Sequence, residues 1–441
     1  MNFDQLVNTL YGRRAGNVKI KLGLERIQKL IEAIGNPHKN FKVIHVAGTN
    51  GKGSITKALA TIFSGQGLKT GSFISPHLVS ITERININNS QISKEEFVKV
   101  YQEIEPAIHS LKETDPEMEP SFFEIITAMA LKYFADNKVE LAIMEVGLGG
   151  RLDSTNVVDS DVSVISTIQK DHIKILGDTL EAIAGEKAGI IKKGNIVVLG
   201  DIPESPKKVI KEKAKSVDAL KLYEYDKDFK FSKTRYSMNW NMINYSGISK
   251  TYDDLVFKSN GSYQPHNLSV AIAAAESFCE KNQMNLDETK LRESLKTYSW
   301  EGRFELIEYN NKRIILEGAH NVDGIKMLKK TVSLYTPFSR KIALIGILDD
   351  KDISEMVEEI PSIFEKIIVT SVPSHRSVNP KNVREELQKH SKTVIEYIEN
   401  TEKAFEHFLK ESYDYYFVTG SLYLVGYIKG LLLNKRDDKN A

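Results

Sequence analysis

A chain of 441 residues, 27% charged and 41% hydrophobic, has the size of roughly two or three domains and is too long for one small one. Sixty Lys plus Arg against 59 Asp plus Glu leave a formal charge of +1, which excludes a long-range field drawing the whole molecule to nucleic acid or anionic lipid and makes any anion site local. The single cysteine, Cys279, excludes an internal disulfide and a cysteine-rich zinc site and fits a reducing compartment. Beside the run AIAAAESF it reads as helix core rather than as a nucleophile.

The N-terminus MNFDQLVNTLYGRRAGNVKI lacks the basic-then-apolar layout of a signal peptide, and Asp4 argues against a transit peptide, so the cytoplasm is expected. From Phe41 onward, β-branched runs alternate with helical patterns, the texture of a parallel sheet with crossover helices. Strands are predicted at Phe41 to Val46, Lys69 to Ile74, Val139 to Glu145, Asp161 to Ile168 and Asn195 to Leu199. Between Leu220 and Phe257 aromatic and polar residues alternate, favouring antiparallel strands in a small subsheet of the first domain. A helix follows around Leu268 to Lys281, and TYSWEGRFE marks a junction. A second series of strands is then predicted at Arg313 to Glu317, Lys341 to Ile347, Lys366 to Thr370, Val394 to Ile398 and Tyr415 to Thr419. The fold expected is α/β: a first domain over 1–297 and a second over 298–441. Phe417 to Leu433 is apolar but is broken by Gly420, Ser421, Gly426 and Lys429, so it reads as strand, turn and helix rather than as a membrane span. The tail NKRDDKNA reads as disordered.

The strongest signal is VIHVAGTNGKGSITKAL, an apolar strand running into a glycine-rich turn and then a helix. Gly48, Gly51 and Gly53 allow the backbone close to an anion, the amides of Asn50 to Ser54 can point inward, and the helix presents its positive end. Lys52 would reach the β and γ phosphates, and Ser54 could ligate magnesium. Unlike the common phosphate loop, a glycine separates the lysine from the hydroxyl residue. The competing reading is an ordinary glycine-rich strand-to-helix turn.

Ligands of open parallel sheets sit beyond the carboxyl ends of the strands. Three polar residues occupy such ends: Ser75, Glu145 and His172. Glu145 stands where a carboxylate holds a metal or its water in many nucleotide hydrolases, although a solvated strand end and a loop histidine are the plain alternatives. Lys187, in TLEAIAGEKAGII, shares an apolar face with Leu180, Ile183 and Ile191. Either it snorkels past the core edge, or its charge is compensated or chemically removed.

Taken together these elements resemble the folylpolyglutamate synthase and dihydrofolate synthase family of the Mur ligase superfamily, over nearly the whole chain. The motifs that carry the resemblance are LGLERI (22–27), GTNGKGS (48–54), SPHL (75–78) with ERI (83–85), SFFE (121–124), EVGLGGRLDSTN (145–156), DH (171–172), EKAGIIK (186–192), GRFE (302–305), GAHN (318–321), GILDDKD (346–352) and TGS (419–421). The resemblance implies a P-loop parallel-sheet ATPase domain with a small antiparallel subsheet, followed by a smaller Rossmann-like glutamate ligase domain that closes over ATP. It implies that Ser75, Glu145 and His172, with Ser54, bind magnesium, and that Lys187 is carbamylated, which would turn its charge around. Thr49, Asn50, Gly51, Lys52, Gly53, Ser54, Asn267, Arg303, Glu317 and His320 are the implied ATP contacts. Folate contacts are implied for Phe122, Phe123, Glu124, Leu152, Asp153 and Ser154, with Lys19, Ile20, Lys21 and Leu22 as a lid. Phe122 and Phe123 alone would be read as core. Two positions depart from the family: it usually carries Asp where this chain has Glu317, and often His where it has Tyr263.

The implied activity is an ATP-dependent ligase: a folate or dihydropteroate carboxylate takes the γ phosphate to give an acyl phosphate, and the amine of L-glutamate displaces phosphate to form an amide. Magnesium, Lys52 and loop amides would shield the two anions from one another. Only 47 residues precede Gly48, too few for the nucleotide-sugar domain that peptidoglycan Mur ligases place there, which favours a folate. Partners are then small molecules, with neither nucleic acid nor membrane, and the family suggests a monomer. The alternatives are a Mur-like ligase for another acid and amine, a regulatory GTPase on the strength of Asn434, Lys435, Arg436 and Asp437, and a nucleic-acid-dependent ATPase, which the charge balance disfavours.

Overall fold

The structure, a computed structural model, describes residues 1–15, 23–238, 240–349, 353–374, 376–389 and 392–440. It divides into two compact units that interleave along the chain: Met1–Lys233, Ile243–Leu255 and Pro265–Tyr298 in the first, and Thr234–Met242, Val256–Gln264 and Ser299–Ala441 in the second.

The first unit is built on strands β1 (Lys42–Ala47), β2 (Thr70–Phe73), β3 (Ile85–Ile87), β4 (Ser90–Gln91), β5 (Leu141–Glu145), β6 (Val162–Ile165), β7 (Ile196–Leu199) and β8 (Lys221–Glu224). Among the described residues they form one sheet in the order β4-β3-β2-β5-β1-β6-β7-β8. Strands β2, β5, β1, β6, β7 and β8 run parallel, and β3 and β4 add an antiparallel edge. The central strands are continuous apolar runs because helices cover both faces; β1 is buried from Val43 to Ala47. Its register, Val46 opposite Glu145 and Ala47 opposite Ile165, sets the carboxyl ends of β5 and β6 on either side of the glycine-rich turn.

Strands β9 (Lys230–Ser237), β10 (Trp240–Ser246) and β11 (Thr251–Phe257) form the expected antiparallel subsheet, in the order β11-β10-β9. The stretch from Leu220 is less uniform than its composition suggests: β8 pairs in parallel with β7 and belongs to the main sheet.

The second unit carries β12 (Glu305–Tyr309), β13 (Lys312–Leu316), β14 (Lys341–Ile345), β15 (Lys366–Val369), β16 (Val394–Tyr397) and β17 (Tyr415–Thr419). Their order among the described residues is β12-β13-β17-β14-β15-β16, parallel except for the β12–β13 hairpin. Phe304, Ile315, Ala343, Ile345, Ile367, Val369 and Phe417 lie in its core, packed against helices.

Among the described residues, the strands that escaped sequence reading are β3, β4 and β12. The tail is a further correction, because the helix Leu422–Asn440 runs through most of NKRDDKNA, and its Lys, Arg and Asp residues are compatible with a helix that an apolar preceding segment has already nucleated. Among the described residues, no helix is long and apolar enough to cross a membrane. Cys279 is buried, as a core residue should be, and burial together with Glu276 pushes its thiol up to about 11.

Candidate active site

At the end of β1 the chain turns through Gly48, Thr49, Asn50 and Gly51 into the helix Lys52–Gln66. The two glycines are required for different neighbours. Gly48 has φ 150°, and a Cβ there would collide with Ser166 Oγ; Gly51 has φ 88°, and a Cβ would stand 2.5 Å from Asn267 Oδ1. The chain leaving β6 braces the turn. Thr49 N donates to Thr167 O (2.9 Å) and Asn50 N to Thr167 Oγ1 (3.0 Å). Ser166 Oγ donates to Asn50 O (2.6 Å), and Asn50 Nδ2 donates to Gln169 Oε1 (2.6 Å). The Asn50 amide is thus engaged with Thr167 rather than presented inward, while the helix begins at Lys52 and turns its positive end toward the loop, as a helix N-terminus beside an anion site does. Lys52 curls back over the turn, donating to Gly48 O (2.9 Å) and Thr49 O (3.1 Å).

Glu145 ends β5 as a buried carboxylate, and its Oε2 accepts from Ser75 N (3.1 Å) just beyond β2. Parallel pairing of β2 with β5 is what brings these two residues together. Ser54 is buried in the first helical turn, its carbonyl accepting from Tyr298 Oη (3.1 Å). His172 is exposed, with φ 50°, and its Nε2 lies 3.9 Å from Asp171 Oδ2. Among the described residues no three His, Cys, Asp or Glu side chains gather into a metal cluster. One carboxylate with two serine hydroxyls is still a donor set that suits magnesium, a hard cation that keeps water and phosphate oxygens in its shell.

Lys187 does not snorkel. It is 4% exposed, and its Nζ donates to Gly48 O at 2.9 Å, across 139 residues of sequence. Burial above all, then the charge of Lys52, pushes its amine down to about 7, against an opposing pull from Asp171 and Asp153. The helix that carries it is Leu180–Ala188, so Ile191 lies beyond the helix end, although it packs in the same core cluster as Ile183, Ala184 and Ala188.

The residues implied for folate divide into two kinds. Phe122 stacks on Tyr11 (centroids 5.8 Å), with the Arg84 guanidinium 5.5 Å from its ring; half-buried Phe123 fills the space where a Cβ on Gly147 would go. Glu124 and Asp153, by contrast, are engaged within the chain. Glu124 forms a capping box with Ser121 at the start of the helix Phe122–Asp136, and its Oε2 also accepts from Arg26 Nε (3.1 Å). Asp153 caps the turn Ser154–Val157, accepting from Thr155 N, Thr155 Oγ1 and Leu148 N. Burial raises the Asp153 carboxyl, and these donors oppose the rise. Ser154 is buried and Leu152 half-buried. Lys19, Ile20, Lys21 and Leu22 lie outside the described residues.

In the second unit, Glu317 follows β13 and is buried, its carboxyl raised by desolvation against the pull of Arg303. Tyr263 Oη donates to Glu317 Oε2 at 2.6 Å, while Arg303 stays 4.0 Å from Glu317 Oε1. The two positions at which the sequence departs from the family pattern are therefore hydrogen-bonded to each other. His320 Nδ1 pairs with Gly318 O (2.7 Å).

Residues 46–275 match the Mur ligase middle domain, and residues 302–422 match the Mur ligase glutamate ligase domain. The dihydrofolate synthase/folylpolyglutamate synthase of Bacillus subtilis is 33% identical over 411 residues, covering 93% of this chain and 95% of the relative. The chain belongs to the Mur ligase family, in its folylpolyglutamate/dihydrofolate synthase branch. Among solved structures, the Thermotoga maritima folylpolyglutamate synthase matches with a TM-score of 0.86 at 38% identity, covering 98% of this chain and 96% of that one. The Mycobacterium tuberculosis folylpolyglutamate synthase complexed with ADP matches with a TM-score of 0.90 at 28% identity, covering 98% of each chain.

For this Mur ligase family chain the sequence reading missed the brace of Ser166, Thr167 and Gln169. The available signal was a run of hydroxyl and amide residues, SxxQ with Thr between, directly after an apolar strand. It also passed over the S-x-x-E of Ser121 and Glu124, which is a capping-box signature in its own right. The regulatory GTPase alternative falls away, since the folylpolyglutamate/dihydrofolate synthase relatives are ligases.

Proposed function

We propose that this chain uses ATP to join the carboxylate of a folate or a dihydropteroate to the amine of L-glutamate. The observation that carries the reading is the phosphate loop at the end of β1, flanked by the Glu145 and Ser75 pair on one side and by buried Lys187 reaching Gly48 O. In the reaction, an oxygen of the substrate carboxylate attacks the γ phosphorus as the bond to ADP breaks, giving an acyl phosphate. The free amine of glutamate then attacks the acyl carbon, phosphate leaves, and an amide remains.

Two anions must meet for the first step, so the chain's task is to neutralise and orient them. Lys52, released from Gly48 O and Thr49 O, is the proposed partner of the β and γ phosphates, with Thr49, Asn50, Gly51, Gly53 and Ser54 around them. Ser54, Ser75, Glu145 and His172 are proposed to hold the magnesium of Mg-ATP, which when bound supplies positive charge to offset the phosphates. Asn267 in the first unit and Arg303, Glu317 and His320 in the second are proposed as nucleotide contacts. Lys187 is proposed to be carbamylated: its neutral amine adds to the carbon of carbon dioxide, a proton leaves, and the anion formed stands near the ammonium of Lys52. For the pterin end, Phe122 and Phe123 supply an aromatic wall, with Leu152 and Ser154 beside it, and Glu124 and Asp153 act by holding that wall in shape. The cytoplasm is the proposed location.

The test is glutamate-dependent ADP release measured side by side with dihydropteroate and with tetrahydrofolate. Release with either pteridine supports the reading and tells the two synthase activities apart. Release with neither overturns it in favour of another acid.

A further inference from the structure

His45 takes no part in the site described above, yet it is fully buried on β1, between Ile44 and Val46 and three residues ahead of Gly48. An imidazole among apolar strand residues costs free energy unless its polar atoms find partners. His45 Nε2 and Thr155 Oγ1 are 2.9 Å apart, and Thr155 Oγ1 donates to Asp153 Oδ1 at 2.5 Å. A hydroxyl has one proton to give. With that proton on the carboxylate, Thr155 must accept from His45, so the ring proton sits on Nε2 and both bonds point the same way, from His45 to Thr155 to Asp153. His45 Nδ1 has no hydrogen-bond partner among the described residues, which leaves the bond to Thr155 as the polar contact that holds the ring. Burial above all, then the charge of Lys192, pushes the imidazole down to about 3, so the ring is neutral through the physiological range.

The carboxylate at the end of this chain closes the loop after β5. Asp153 Oδ1 also accepts from Thr155 N (3.0 Å), and Oδ2 accepts from Leu148 N (2.8 Å). A Cβ on Gly147 would stand 2.5 Å from Phe123 Cζ and 3.1 Å from Asp153 Oδ2, so the aromatic ring and the carboxylate lie against the same glycine. A carboxylate turns about its side-chain torsions unless its partners are themselves anchored, and Thr155 is anchored to a central strand of the sheet through His45. We propose that His45 is a positioning residue for the pteridine substrate: through Thr155 it fixes the Asp153 carboxylate, which sets where the loop from Gly147 to Ser154 stands against Phe123. The inference rests on the proposed folate contacts of Phe123, Leu152 and Ser154.

The experiment compares H45N, H45Q, T155V and T155S with the parent in the full chain, using whichever of dihydropteroate and tetrahydrofolate the parent turns over. It reads KM for the pteridine, KM for ATP and kcat separately, with thermal unfolding to confirm folding. A glutamine amide nitrogen can stand where Nε2 stands and donate to Thr155, whereas the shorter asparagine cannot reach it; valine removes the Thr155 hydroxyl and serine keeps it. H45N and T155V should each raise KM for the pteridine by about tenfold, the scale of one lost oriented hydrogen bond, with KM for ATP within about twofold, and H45Q and T155S should restore most of it. Adding H45N to T155V should change little. A histidine that merely supports β1 would, when replaced, disturb the phosphate loop three residues on and raise KM for ATP in step. Equal rises in both KM values, an unchanged KM for the pteridine, H45Q as impaired as H45N, or effects of H45N and T155V that multiply would each overturn the proposal and leave the folate reading standing. If H45N does not fold, T155V against T155S decides by the same KM values. If the parent releases ADP with neither pteridine, the folate reading fails and takes the proposal with it.

Discussion

Lys52 and Lys187 end on the same atom, the carbonyl oxygen of Gly48, each at 2.9 Å. Two ammonium groups on one carbonyl repel, and the buried one yields: Lys187 is the amine brought down to about 7. A neutral, nucleophilic amine at physiological pH is what carbamylation requires, because the protonated form has no lone pair. In buffer stripped of carbon dioxide the ligase should lose most of its turnover and regain it on adding bicarbonate, with a carbon-13 carbamate signal appearing in step. Activity indifferent to carbon dioxide would remove the modification. The sign for stability follows from the same shift. Below about pH 7 the folded protein buries a charged amine, so the cost of Lys187 is full there and shrinks as pH rises through 7 toward the ordinary lysine range. In carbon-dioxide-free buffer, Lys187→Met should therefore stabilise the chain more at pH 6 than at pH 9, as measured by urea unfolding.

Lys52→Ala and Glu145→Ala remove charge from the proposed phosphate and metal contacts without opening the hydrophobic core. Each should cut turnover by more than about a hundredfold, the scale of a lost preorganised electrostatic contact, while the melting temperature stays near that of the parent. Retained turnover in either would contradict the site.

Ser166 touches the loop but has no proposed contact with substrate. Ser166→Ala deletes the donor to Asn50 O, so the turn should loosen and ATP affinity should fall by about tenfold, visible by calorimetry with a non-hydrolysable analogue. Unchanged affinity would show that the remaining bonds from Thr167 and Gln169 hold the turn without it.

Tyr263 and Glu317 should behave as one unit. Tyr263→Phe removes a donor that favours the ionised carboxylate, so the already raised pKa of Glu317 should climb further, and KM for ATP should rise by about threefold to tenfold. In a double-mutant cycle with Glu317→Gln the two effects should fall short of additive. Strict additivity would mean the contact is idle.

Glu276 offers a stability test away from the chemistry. Its buried carboxylate accepts from Tyr245 Oη (2.8 Å), Ile248 N (3.0 Å), Ser249 Oγ (2.8 Å) and Lys250 N (3.2 Å), tying the β10–β11 turn to the helix Gln264–Lys281. Glu276→Ala leaves the buried Tyr245 hydroxyl and the partly buried donors of the turn without their acceptor and should cost about 2 to 3 kcal/mol in denaturant unfolding. A loss under about 1 kcal/mol, the size of a surface change, would show that water replaces the carboxylate.

Much of the parallel sheet was legible because its strands are apolar runs whose signal does not depend on partners. The edge strands were not, for a reason visible in their composition: β3, β4 and β12 are short and only partly apolar. Their turns carried the better signal. Asn88 and Asn89 join β3 to β4 with φ of 50° and 64°, and Asn310 and Asn311 join β12 to β13 with φ of 48° and 61°. Adjacent asparagines that tolerate the left-handed region are hairpin chemistry, and reading the turn before the strand would have found both.

By itself the sequence determined the phosphate loop and the family, since strand, glycine turn, lysine and helix start are contiguous and their geometry follows from local backbone preferences. Whether Lys187 points to solvent or to Gly48, whether Asp153 and Glu124 are open or already engaged, and that Tyr263 meets Glu317 were decided only by tertiary structure. Those outcomes depend on desolvation and on hydrogen bonds between segments far apart in the chain, and neither exists until the sheet has stacked its strands and the helices have closed over it.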